Sequence, residues 1–296
     1  MQSFSRGWSF LKQAWEMAFK DKDLLKPSLY ALVVGMIVSV IGIIPMAIGY
    51  FIFGTEGVGG FVMFIMGGIL VFVQFVVAYV FSGMTVYLIY GYLTEGDGRM
   101  DKAWAIVKRD FFDILTLAAV STVVNMLKSA AQRNRKNSIV SNIARSATGL
   151  LETLWTEAAY LILPAMVIDD LNLKDSMQRV WTITKENLLL VGISTVGVRF
   201  VTGLISFVFG LIGFVIAFAI GALFVSVGGT TITIVGIVIG ALIFFTFAMV
   251  ASLFSSYTNT AYHTCLYIWA REVETAKAQG SSVQVTAPAP LAAALA

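Results

Sequence analysis

Six stretches of this chain are apolar almost without interruption, and short polar segments separate them. They run roughly over Pro27–Phe53, Phe61–Leu93, Phe111–Leu127, Leu150–Ile168, Leu188–Phe224 and Ile232–Trp269. Apolar runs of about 17 residues or more with few charges predict membrane-spanning helices. Rich Leu, Phe, Met and Ala content without two-residue alternation favours helices over barrel strands.

A second pattern precedes each pair of runs. Phe4, Trp8, Leu11, Trp15 and Ala18 recur at steps of three and four, with Arg6, Ser9, Lys12, Gln13 and Glu16 on the other side. This spacing predicts an amphipathic helix in the membrane surface, its rings at headgroup depth and its cations outward. The competing reading is a helix docked on a soluble surface. Related segments surround Trp104, in AWAIVKRDFF, and Trp181, in LKDSMQRVWTITKEN. Trp8, Trp15, Trp104 and Trp181 are the expected membrane-interface anchors. The chain therefore reads as an all-α polytopic membrane protein, a single domain over 1–270. Its six spans form three hairpins, each preceded by an interfacial helix, in pseudo-repeats near 1–94, 95–168 and 169–270.

Orientation follows from the connections. Gly54–Gly60 and Ser226–Thr231 lack Lys and Arg, whereas Arg99, Lys102, Lys108 and Arg109 cluster around the second surface segment. The positive-inside rule then puts both termini in the cytoplasm and the two Gly-rich turns outside. The segment Lys128–Thr148 opposes this, because it carries Lys128, Arg133, Arg135, Lys136 and Arg145 on the expected outer side. Either all six runs cross, or the second hairpin lies on the cytoplasmic face and four cross. The all-round apolar character of Phe111–Val124, apart from Asp113 and hydroxyls, favours six. The second run makes about 48 Å of helix against about 30 Å of hydrocarbon, so it must tilt, kink at Gly67–Gly68 or Gly83, or project. Gly236 and Gly240 permit close helix approach, most simply inside the molecule. Residues 271–296, ending APAPLAAALA, lack periodicity and are expected to be a disordered tail. Residues 1–26 lack the continuous apolar core of a cleavable signal.

Composition narrows the classes. A content of 58% hydrophobic and 12% charged residues lies outside the soluble globular range. The net charge of +3 is small and its cations cap apolar runs, so no nucleic-acid partner is expected. Cys265 is the single cysteine, forms no internal disulfide, and reads as a small packed hydrophobe.

Charges at membrane depth are where function would show. Arg199 lies eleven residues from Leu188 and Glu157 eleven from Ile168. Both therefore sit about 16 Å deep in neighbouring antiparallel spans and are expected to pair. Such a pair either fixes the register of two helices or lines a polar path. Asn259 and His263 share one face of the last span. A lone histidine is a poor metal site, and neither a metal nor a cofactor is expected. A proton switch at His263 is the other option. Gln74 and Asn125 are polar groups in spans, expected to hydrogen-bond between helices. No phosphate loop, nucleophile elbow or His-Glu-x-x-His motif occurs, so the chain does not read as an enzyme.

Several segments carry a family resemblance. FSRGWSFLKQAW followed by DKDLLKPSL, then GRMDKAWAIVKRDFFDIL, ETLWTEAAYLILPAMVIDD and SMQRVWTITKEN, resemble the prokaryotic integral membrane family known as domain of unknown function 6159. The similarity extends to about Trp269. It implies a six-span bundle in a bacterial or archaeal membrane and supplies no catalytic residues. After Pro164, Asp169–Asp170 replaces that family's single Glu, and the pair is assigned no role.

Two functions follow as expectations. The first is a non-enzymatic scaffold or accessory subunit of the cytoplasmic membrane, working through assembly as a homo-oligomer or in a larger membrane complex, with lipids as its surroundings. The alternative is a channel or transporter with a polar path near Arg199 and Glu157. A lipid-handling enzyme would need paired carboxylates or a nucleophile at one depth, which the sequence does not offer.

Overall fold

The computed structural model describes residues 2–54, 57–133, 139–186, 188–279 and 285–295, and every regular element among them is helical. The first unit comprises α1 (Gln2–Lys20), a 3-10 turn (Lys22–Leu25), α2 (Lys26–Phe53) and α3 (Gly57–Glu95). The second comprises α4 (Met100–Arg109), α5 (Phe111–Arg133) and α6 (Ile139–Asp169). The third comprises α7 (Leu173–Glu186), α8 (Leu188–Val227) and α9 (Thr230–Ala278), and α10 (Ala289–Leu295) follows. Among the described residues, six helices are long and apolar enough to cross a membrane. They pack as the hairpins α2–α3, α5–α6 and α8–α9. The chain is a multi-pass, all-α membrane protein.

Burial divides the molecule into two ends. At the end carrying α1, α4 and α7, side chains interlock on all sides: Met84 to Ile89 of α3, Ile114 and Leu117 of α5, Ile162 to Val167 of α6 and Tyr257 to Ile268 of α9. The amphipathic helices add Phe10, Ala14 and Met17, Ala103 and Val107, and Val180 and Ile183 to this core. At the other end α2, the first half of α3, α8 beyond Arg199 and α9 up to Val250 present Ile, Val, Leu and Phe outward. Such an exterior suits hydrocarbon, where the helices satisfy their backbone groups internally. α3 stays helical through Gly67, Gly68 and Gly83, and its last third lies inside the packed end.

Polar staples hold the packed end. Asp21 accepts the backbone N–H of Asp23 at 3.0 Å and that of Gly98 at 2.8 Å, tying the first unit to the start of the second. Tyr257 donates to the Ala14 carbonyl at 3.0 Å, and Trp15 Nε1 donates to Thr258 at 3.1 Å.

The structure corrects two expectations here. α1 has three sectors where two were expected: Phe10, Leu11, Ala14, Met17 and Ala18 face the core, Phe4, Trp8 and Phe19 face outward beside them, and polar residues fill the rest. Trp15, half-buried, stacks on Phe254 at 4.8 Å. The tail is not disordered where it is described. α9 continues to Ala278, and α10 lies against α1 with Leu291 buried. Burial of Leu291, with Ala287 just before the helix half-buried against the core, gives this short Ala-rich segment the tertiary contacts it lacks as an isolated helix.

Between the outer halves of α8 and α9, Gly236 faces Phe224, and a Cβ at Gly240 would lie 2.9 Å from the Ala217 carbonyl oxygen. The glycine pair thus closes its own hairpin. Arg135 and Lys136 of the basic segment lie outside the described residues, and Lys128 pairs with Glu152 across α5–α6.

Candidate functional site

Where the four-helix contact of α3, α5, α6 and α9 loosens above the packed end, a cavity of about 620 Å³ opens, with α8 as its far wall. Its floor is a hydrogen-bonded trio: Ser121 Oγ lies 2.8 Å from Tyr79 OH and accepts Trp155 Nε1 at 2.8 Å. α9 contributes Ser252, Ser255, Ser256 and Asn259, which recur along one face because steps of three and four return to the same side of a helix. α8 contributes Ser206 and Gly210, and α5 contributes Asn125. The result is a hydroxyl- and amide-lined cup with aromatic walls, set among helices whose other faces are apolar.

A charged cluster lies directly beneath. Arg199 of α8 and Glu157 of α6 form an ion pair, so the structure brings together the two charges placed at shared depth by helical rise. His263 joins them, its Nε2 3.3 Å from Glu157 Oε2 and its Nδ1 2.7 Å from the Asn259 carbonyl oxygen. Tyr160, in the cavity wall, stacks on the buried imidazole at 4.8 Å. Both imidazole nitrogens face oxygens. A carbonyl only accepts, so Nδ1 carries a proton, and the contact at Nε2 is completed only by a second proton on His263 or one on Glu157. Arg199 and Glu157 are the foot of the gap between α6 and α8. About two and three turns further along α8, Ser206 and Gly210 line the cavity.

The remaining sequence candidates fall in different places. Asn259 lines the cup and donates to Ser255 at 3.3 Å within its own helix, while its carbonyl holds His263 four residues on. Asn125 lines the cup without joining two helices, contrary to expectation. Gln74 does join two: its Nε2 donates to the Gly35 carbonyl at 2.9 Å and to Ser39 at 2.7 Å on α2. It borders a smaller cavity of about 190 Å³ that shares Ser82, Ser252 and Ser256 with the cup. Trp8, Trp104 and Trp181 are exposed on α1, α4 and α7, and Lys108 sits over the Trp104 ring at 5.4 Å. Cys265 is buried in the core. Among the described residues, no three His, Cys, Asp or Glu side chains gather as a metal ion would require.

The acidic pair at the end of α6, Asp169 and Asp170, has a structural role that the sequence did not assign it. Asp169 is the hub of the packed end, accepting from Tyr267 OH at 2.5 Å and lying 3.1 Å from Arg271 Nε and 3.4 Å from Arg179 Nε. Arg179 also reaches Glu274 at 2.8 Å, so α6, α7 and α9 share one network. Asp170 adopts φ 55°, the left-handed turn that stops a helix and that Asp tolerates better than most residues. From there it meets Arg109 Nε at 3.1 Å, and Arg109 Nε also holds Asp110 at 2.6 Å. Burial pushes the Asp110 carboxyl above its ordinary value, although Arg109 beside it pulls the other way.

No protein-family model matches the chain, and no curated protein matches it. The resemblance to domain of unknown function 6159 therefore stands on its quoted motifs alone.

Proposed function

We propose that this integral membrane protein is a non-enzymatic scaffold or accessory subunit of a prokaryotic cytoplasmic membrane, working through helix–helix assembly. The observation that carries the reading is the contrast between its ends. The packed end satisfies itself within one chain, whereas outward of it α2, α3, α8 and α9 have neighbours along little of their surface. In lipid those faces are free to meet other helices by packing and close approach. In this reading α1, α4, α7 and both termini face the cytoplasm, where Lys and Arg gather. The mass and composition of the particle extracted in mild detergent test it. A homo-oligomer or co-purifying subunits is the expected result, and a monomer that also fails to cross-link in intact membranes would refute the proposal.

A second reading, a channel or transporter, is favoured by the polar cavity standing directly above Arg199 and Glu157. Reconstituted protein that conducts or exchanges solute, with a rate changed by Arg199→Leu, supports it, and an inert vesicle removes it. If Arg199→Leu leaves melting temperature and particle mass unchanged, the ion pair does not set the register of α6 and α8.

A further inference from the structure

We infer that the cavity walled by α3, α5, α6, α8 and α9 is a binding site for a neutral polyhydroxylated group, a glycosyl moiety presented either by a glycolipid or by a free sugar. The inference goes beyond assembly and requires neither oligomer nor transport.

Three observations converge on that chemistry. First, the cup holds polar groups with nothing to bond to. Among the described residues Ser82, Asn125, Ser206, Ser252 and Ser256 make no side-chain hydrogen bond, yet all line the cavity. These groups are accessible from the cavity, and an occupant that displaces water from one without replacing its hydrogen bonds forfeits roughly 1–3 kcal/mol, so a fitting occupant brings donors and acceptors of its own. Asn125 offers two donors and an acceptor, and each serine offers a donor and two lone pairs, a complement to vicinal hydroxyls.

Second, the lining presents no uncommitted charge. Glu152, the only Asp, Glu, Lys, Arg or His in it among the described residues, is paired with Lys128, and Glu157 beneath is engaged by Arg199 and His263. A phosphate, carboxylate or ammonium would meet no counter-charge, and burying an unpaired ion costs far more than burying a hydroxyl.

Third, Phe75, Trp155 and Tyr160 supply flat apolar walls. A sugar ring shows such walls its C–H face while its rim keeps the hydroxyls, the same division of apolar body and polar edge that the cup displays. Water alone would satisfy the serines but would leave these aromatic faces wet. The volume of about 620 Å³ lies within the range of small-molecule sites. Residues of α6 and of α8 both line the cavity above the level at which Glu157 and Arg199 join these helices.

The test uses the full chain in phosphatidylcholine nanodiscs. In one arm the discs contain monoglucosyl diacylglycerol, and native mass spectrometry reads which lipid stays with the protein. In the other, methyl β-glucoside is added as a free solute and read by saturation-transfer NMR. Retention of the glucosyl lipid about tenfold above phosphatidylcholine assigns a lipid source, and saturation transfer to methyl β-glucoside assigns a soluble one. Asn125→Leu and Ser256→Leu, which fill the cup with apolar bulk, should each lower the positive signal about tenfold without shifting the melting temperature. Should either variant fail to fold, Ser206→Ala removes a hydroxyl without adding bulk and should lower the signal about threefold. Binding of neither probe, or a signal unchanged by these variants, overturns the proposal and leaves a water-filled cavity.

Discussion

Along α9 one helix meets two different surroundings. From Ile232 to Val250 it turns Ile, Val, Leu and Phe outward, whereas from Tyr257 to Ile268 nearly every side chain is buried, among them Thr258, Thr260, His263 and Thr264. α3 shows the same change, open before Ser82 and enclosed from Gly83 to Ile89. The apolar stretch is outside and the polar stretch is inside, the reverse of a soluble protein. In lipid, covering a Leu gains little, so the open end is held by shape and close approach. The packed end is held by apolar burial together with a network of charges and hydroxyls, so substitutions at the two ends should cost different amounts for different reasons.

The largest effect belongs to the hub of the network. Asp169→Ala strands Arg179, Arg271 and the Tyr267 hydroxyl, and should lower stability by about 3 kcal/mol. Thermal melting in detergent reads it, and a loss no larger than that of an exposed ion pair would show that the packed end does not depend on this carboxylate. Next is Gly240→Val at the open end, where new atoms meet the Ala217 carbonyl and should cost about 1–3 kcal/mol. Hydrogen exchange should then rise in α8 and α9 beyond Arg199 and stay unchanged at Tyr257–Ile268. Equal acceleration at both ends would dissolve the division. Tyr257→Phe removes one buried hydrogen bond to α1 and should cost about 1 kcal/mol, readable as faster proteolysis near Ala14.

The smallest effect is a matter of pH. Burial raises the Asp110 carboxyl above its ordinary value of 3.8, so the folded protein holds this proton more tightly than the unfolded chain does. The stability tied to it is therefore complete below 3.8 and is lost as pH rises through the raised value. Asp110→Asn does not titrate, and its melting temperature should vary less across that window than that of the parent protein. Parallel pH profiles for the two proteins would mean that Asp110 titrates alike folded and unfolded.

The six spans and their hairpins were legible because apolar length and charge-free runs are properties of the chain itself. The meeting of Glu157 with Arg199 was legible for a similar reason, since helical rise converts sequence position into depth. The inward sector of α1 was not legible, because periodicity marks an apolar face without saying whether lipid or protein covers it. Asp169 escaped because its partners Tyr267 and Arg271 lie far along the chain, and a carboxylate ending a helix has no periodic signature. The cup escaped too. Its serines are individually unremarkable, and only the approach of five helices collects them into one wall.

α9 contains no proline and runs without interruption from Thr230 to Ala278, about 73 Å of rod with no hinge. Whatever tips its outer end, a thinner bilayer or a pressing neighbour, swings His263 and Tyr267 through the same angle. The helix is thus a lever whose short arm ends in the ionic network and whose long arm feels the membrane.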